Sequence, residues 1–190
     1  MVPSLQVSTS ISLEEFLQLP ETKPAREYNS GHIHQKPMPQ GKHSILQTRL
    51  STAINQVGVS QQLAYGIVEL RCTFAGSSIV PDIAVFEWYH IPVDELGEVT
   101  NRFTIPPDWI IEILSPNQSP NRTIQKIILC LNNGTQLGWF IDPEDRSVMI
   151  FQPGKLPSVK CDEDTLPVLG VLEDWSITVA DLFGWLKLTG

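Results

Sequence analysis

Residues 108–119 read DWIIEILSPNQS, and the reading of the whole chain turns on the fifth of them. Trp109, Ile110, Ile111, Ile113 and Leu114 surround Glu112 with a run suited to a strand buried on both faces. A carboxylate inside such a strand is paired, protonated or bound to a metal, because burying it ionised and alone is very costly. Ser115-Pro116 ends the run.

Downstream, residues from about Pro120 to Leu131 read as a helix, stopped by Asn132-Asn133-Gly134. Residues 136–142 and 147–153 are apolar stretches joined by a turn at Pro143-Glu144-Asp145, a hairpin. A short strand near Val168 and a helix around Val179–Leu188 close the chain. Upstream, Tyr65, Ile67, Glu69 and Arg71 alternate with Gly66, Val68, Leu70 and Cys72, which predicts one strand. IVPDIAVFEW (79–88) predicts a second, after a turn at Gly76-Ser77-Ser78. Leu46, Leu50, Ala53, Ile54 and Val57 share a stripe on an amphipathic helix running from Gly41 to about Val57. Residues 26–36 fit a hairpin turning at Asn29-Ser30-Gly31, and Ser12 with Glu15 forms a capping box for a short first helix. The order helix, strands, helix, strands predicts a mixed sheet with helices packed on it, α/β or α+β, in a single domain over residues 1–190.

The totals narrow the function. With 42% apolar and 18% charged residues the chain is globular rather than disordered. A net charge of −8 argues against a protein that coats nucleic acid non-specifically, since that affinity comes from Lys and Arg displacing counterions. It leaves room for a local basic cleft. Cys72, Cys130 and Cys161 are odd in number and widely separated, so no disulfide framework follows and a reducing cytoplasm is expected. The N-terminal MVPSLQVSTSIS shows no secretory pattern, and no apolar run approaches the roughly 20 residues of a membrane helix. A soluble, cytoplasmic protein with no membrane partner is the expectation.

Two further residues join Glu112. Asp82 also lies in a strand-like apolar run, after Pro81 and before Ile83, Ala84, Val85 and Phe86. If the two strands are neighbours, about 4.8 Å apart, their carboxylates can share one cation. The bland readings are a turn-terminating Asp82 and a Glu112 paired with Arg71 or another base. Lys126 lies opposite the stripe of Ile124, Ile127, Ile128 and Leu131, the usual place for a solvated lysine. Yet from Ile127 to Leu131 no face of the helix is polar, which points to burial and an anionic partner for Lys126.

Pro81-Asp82 followed thirty residues on by Glu112-Ile113-Leu114 resembles the PD-(D/E)XK phosphodiesterase superfamily. The usual lysine, two residues after the second acid, is replaced here by Leu114. The wider pattern is similar to a bacterial, restriction endonuclease-like branch in which the lysine has moved to the following helix. Lys126 stands there, fourteen residues after Glu112. Leu13-Glu14-Glu15-Phe16-Leu17, Arg26-Glu27-Tyr28 with Gly31, His43, and Leu137 through Pro143 extend the resemblance over roughly residues 10–185. Arg122, where an acid often precedes the lysine, and Cys130, where tyrosine is common, depart from it.

The resemblance implies a restriction endonuclease-like mixed sheet flanked by helices and a metal-dependent endonuclease acting on nucleic acid, most simply DNA. Asp82, Glu112 and the Ile113 carbonyl would hold Mg²⁺ or Mn²⁺, and Lys126 would orient the attacking water or neutralise transition-state charge. Glu27 is a candidate for a second metal or a general base. His43, at a helix N-terminus, is a candidate phosphate contact, and Arg71, Lys42 and Arg102 a basic rim. A homodimer is implied too, and Trp139 and Phe140 are the residues that would pack against a second copy. The alternative is a catalytically silent binding domain that keeps the nuclease fold.

Overall fold

A computed structural model describes residues 11–116 and 118–188. The N-terminal stretch on which the expectation of no secretory pattern rests lies largely outside the described residues.

The chain runs α1 (Leu13–Leu17), β1 (Arg26–Asn29), β2 (His32–Gln35), α2 (Gly41–Gly58), β3 (Ala64–Val68), β4 (Cys72–Phe74), β5 (Ser77–Ile79), β6 (Ile83–Glu87), β7 (Trp109–Ile113), α3 (Pro120–Leu131), β8 (Leu137–Asp142), β9 (Ser147–Phe151), β10 (Ser158–Lys160) and α4 (Val179–Gly184). The strands form two sheets. One is six-stranded in the order β10-β9-β8-β7-β6-β3, and the other four-stranded in the order β2-β1-β5-β4. The expected mixed α+β architecture is present, with β7 and β8 its parallel pair.

Alternation along β6, β7 and β8 divides the core between the two faces of the large sheet. Ile83, Val85, Trp109, Ile111, Ile113, Trp139 and Ile141 pack with Leu46, Leu50 and Ile54 of α2 and with α4. Ala84, Phe86, Ile110 and Phe140 face the other way, against Ile127 and Cys130 of α3 and against Cys72, Phe74 and Ile79 of the small sheet. Glu112 has the parity of Ile110, so it faces α3. The close packing of α3 on β8 depends on Gly138, where a Cβ would come within 2.5 Å of Ile127 Cγ2.

Two expected strands are each broken in two. The run 65–72 ends β3 at Val68, because Glu69 adopts the left-handed region (φ 51°) and sends the chain into the small sheet as β4. The run 79–88 is divided at Val80-Pro81-Asp82, between β5 in the small sheet and β6 in the large one. Pro81 has no N–H for a ladder bond, so a break falls there naturally. The tail also differs: the expected strand near Val168 is an isolated bridge between Thr165 and Thr178, and the added strand is β10. α4 ends at Gly184. Trp139 and Phe140 are buried in the chain's own core, on a strand flanked by β7 and β9. They are therefore not the surface of a dimer. No helix among the described residues is long and apolar enough to cross a membrane.

Candidate active site

The two strand breaks meet at the seam between the sheets, and the charged residues gather there. In the antiparallel pairing of β6 with β7, Ala84 opposes Ile110 and Ile83 opposes Ile111. One step further puts Asp82 across from Glu112. Directly opposed residues in such a pair have Cβ atoms about 4.5–5.5 Å apart. Beyond Ile83 the ladder continues through a side chain: Ile113 N–H donates to Asp82 Oδ2 at 2.7 Å.

Each carboxylate has its own lysine. Lys36, just beyond β2, donates through Nζ to Asp82 Oδ1 at 2.8 Å, Glu69 Oε1 at 2.9 Å and the Val80 carbonyl at 2.9 Å. Three acceptors match the three N–H groups of an ammonium. Lys126, from α3, lies 2.9 Å from Glu112 Oε1 and donates to Glu27 Oε1 at 2.8 Å. Glu27 is held on β1 and also accepts from Val80 N–H at 2.8 Å. His43, in the first turn of α2, lies with Nε2 3.1 Å from Asp82 Oδ2. One helical turn on, Gln47 donates to the Asp82 carbonyl at 2.8 Å and to Glu69 at 3.1 Å.

Sequence had marked Asp82, Glu112, Lys126, Glu27 and His43, and the fold brings all five into one cluster. Glu112, Asp82 and Lys126 are 1%, 2% and 7% exposed. Lys126 is thus not a solvated lysine, and Glu112 is paired with it rather than with Arg71. Arg71 reaches the wall of the adjoining cleft, but its guanidinium is taken up by Glu21, Ser78 and the Arg26 carbonyl. Lys42 pairs with Glu144 at the surface and lines a neighbouring recess. Arg102 is exposed and lines neither the main cleft nor the recesses that adjoin Lys42 and Lys126. Ile113, expected to offer its carbonyl, contributes its N–H to Asp82.

Lys36, Gln47 and Glu69 complete the cluster from outside the set of residues that the sequence marks. Gln47 carried a signal, since it lies one turn from His43 on the same helix. Lys36 carried none: it follows a polar hairpin in His34-Gln35-Lys36-Pro37, with nothing apolar beside it to suggest burial.

The environment separates the two carboxyls. Burial pushes Glu112 up; Lys126 offsets this only in part and the Asp82 charge adds to it, leaving its pKa at about 8. Burial acts on Asp82 in the same direction. There the Lys36 charge, the hydrogen bond and charge of His43, and the more distant Lys126 prevail and hold it well below the usual carboxylate range. Burial works against both ammonium groups, yet Asp82 brings Lys36 above its ordinary value, and Glu112 and Glu27 do so for Lys126. The two opposed carboxyls thus differ in how readily they take up a proton, Glu112 more readily than Asp82.

A cleft of about 630 Å³ opens onto this cluster from the side of Lys36, His43, Gln47 and Asp82. A smaller recess of about 330 Å³ opens from the side of Glu27 and Lys126. Glu112 Oε1 is buried and receives no hydrogen bond among the described residues, its counterion being Lys126. No three His, Cys, Asp or Glu side chains among the described residues gather as a preformed metal cage. Magnesium does not need one, binding commonly through one or two carboxylates, waters and substrate phosphate. Opposed Asp82 and Glu112, one with an unbonded oxygen, fit that kind of site.

Among solved structures, the chain is similar to a crystal structure described as "a putative nuclease belonging to DUF820" from Anabaena variabilis. It superposes with a TM-score of 0.92 at 48% identity, over 93% of this chain and 99% of that one. A DrdV–DNA complex aligns with 75% of this chain and 13% of its own, at 14% identity and a TM-score of 0.32. No curated protein matches at a significant level. The family model described as "Putative restriction endonuclease" matches residues 13–180, through both sheets and the whole of the buried cluster. The chain belongs to this restriction endonuclease-like family, Uma2.

Proposed function

We propose that the protein hydrolyses phosphodiester bonds in nucleic acid, DNA in the first instance, with Mg²⁺ or Mn²⁺ held by Asp82 and Glu112. The observation that carries this reading is the opposition of these two buried carboxylates, each within 3 Å of a buried lysine, with Asp82 lining the main cleft. The family and the nuclease-like relative point to the same class of reaction.

A bound divalent cation would supply Lewis-acid polarisation of the phosphate and a more acidic water. The chain's own residues do the rest. Asp82, kept ionised, and Glu112, once its proton has gone to solvent, would provide the negative oxygens that hold the cation, with the Ile113 carbonyl a further candidate ligand. Lys126 balances charge as the phosphate oxygens gain it, and Glu27 and the Val80 N–H hold that ammonium in place. Lys36 and His43 line the cleft beside Asp82 and meet the entering phosphate. The site acts in the cytoplasm, in a chain that works as a homodimer.

A second reading has its own observation. Three backbone groups left open at the seam are satisfied by these side chains: Val80 N–H by Glu27, the Val80 carbonyl by Lys36, and Ile113 N–H by Asp82. A cluster kept for that purpose alone would give a nuclease-fold binding domain that does not cleave. Incubation of plasmid and single-stranded DNA with Mn²⁺ or Mg²⁺ separates the two. Cleavage by the wild type that disappears in Asp82→Asn and Glu112→Gln, both still folded, supports hydrolysis. Tight DNA binding with no cleavage under either metal supports the silent domain.

A further inference from the structure

The smaller recess, on the far side of the buried cluster from the main cleft, has a chemistry of its own. His32 and His34 project from the same face of β2, their rings 6.3 Å apart and stacked. Arg122 and Gln125 stand on the first turns of α3, and Lys126 forms the floor. Arg122 makes no ion pair among the described residues, although the chain carries 21 acids against 13 lysines and arginines. Lys126 donates to Glu27 and lies against Glu112, two acceptors for three N–H groups, while 7% exposed; no third acceptor is present among the described residues. Among the described residues the only acid lining the recess is Glu27, whose Oε1 is already engaged by Lys126 and Val80 N–H. His34 registers the resulting field: burial first, then Arg122, then His32 lower its pKa, and Glu27 only partly opposes them.

Nitrogen donors from two elements thus converge on about 330 Å³, and among the described residues Arg122 has no counterion there. A planar guanidinium, two imidazoles and an ammonium N–H are the donor set of a phosphate site. We propose that this recess binds a phosphate group of a nucleic-acid strand, held by Arg122, His32, His34 and the free N–H of Lys126. The source of the phosphate rests on the nuclease reading; phosphate binding itself does not.

Inorganic phosphate is titrated into the full-length protein while the imidazole C–H resonances of its four histidines are followed by NMR. His32 and His34 shift saturably, while His90, outside the recess, does not. In Arg122→Glu, an exposed position, the melting temperature is unchanged and the saturable shift is lost. No saturable shift in the wild type, or an equal one in Arg122→Glu, overturns the proposal. A second arm uses a short oligonucleotide and the Glu112→Gln protein, which keeps the strand intact. The strand should move the same two histidines, and Arg122→Glu should lower the slope of log affinity against log salt by about one. If phosphate moves them and the oligonucleotide does not, nucleic acid is excluded as the source. Absence of cleavage in the Mn²⁺ assay with these shifts intact refutes hydrolysis and leaves the recess standing.

Discussion

Asp82 Oδ2 accepts the N–H of Ile113 at 2.7 Å, so the carboxylate of one strand takes the place of a backbone carbonyl on the neighbouring strand. This bond fixes Asp82 against the residue that follows Glu112. The geometry of the carboxylate pair is therefore built into the sheet rather than left to side-chain rotamers, and four consequences can be measured.

The protonation of Glu112 makes stability depend on pH. Its pKa rises from 4.5 to about 8 on folding, because burial and the Asp82 charge outweigh Lys126. Unfolding then releases a proton between these values, and stability that is complete below the lower one is lost as pH rises through the higher. Glu112→Gln is neutral throughout and lacks this slope. Melting temperatures recorded from about pH 5 to about pH 8 should show the variant gaining on the wild type as pH increases. Parallel curves would mean that Glu112 is ionised throughout the range.

Lys36 is a structural cation as well as a cleft residue. Its side chain is 8% exposed, and its removal leaves Asp82 and the Val80 carbonyl short of a donor. Breaking a buried pair from one side costs about 3–5 kcal/mol, so Lys36→Met should lose that much in urea unfolding with an unchanged m-value. A loss below about 1 kcal/mol would be that of a surface pair and would contradict the burial.

Gly138 sets the distance of α3 from the sheet. In Gly138→Ala the new methyl meets Ile127 Cγ2 at 2.5 Å and Phe151 Cβ at 3.3 Å. Overpacking of this kind costs about 1–3 kcal/mol, and here it also displaces the helix that carries Lys126. The melting temperature should fall and cleavage should fall with it. Adding Ile127→Ala, which removes the clashing methyl, should restore part of the activity; a double variant no better than the single would show that the helix had not moved.

The thiols should divide one against two. Cys72 and Cys130 are buried, and burial pushes the Cys72 pKa up to about 12, whereas Cys161 is exposed. A thiol-specific chromogenic reagent should titrate one group per native chain and three after denaturation. Two or more reacting in the native state would show that the face of the sheet under α3 opens.

Local pattern was enough for α2, α3, both hairpins and the candidates Asp82, Glu112 and Lys126, because each is announced by its neighbours. A charge within an apolar run must be accounted for wherever the run packs. The isoleucines around Glu112 and the apolar girth of residues 127–131 state that requirement without any tertiary information. The divided strands were less legible. Residues 65–72 and 79–88 keep the alternation of a strand on both sides of the break, and periodicity does not say to which sheet each half belongs.

What sequence alone determined, then, is the inventory: a mixed α+β chain of a restriction endonuclease-like family, with two acids and a lysine whose burial demands partners. Only the tertiary structure decided the pairing. It set Asp82 against Glu112 across two antiparallel strands, gave Lys126 to Glu112 and Glu27, and brought Lys36 to Asp82 from a hairpin 46 residues away in the chain. The reason is physical. Burial of a charge can be inferred from the residues next to it, but the ion that neutralises it comes from wherever the fold closes. Here that place is the seam between two sheets, where broken ladders leave backbone groups for side chains to satisfy.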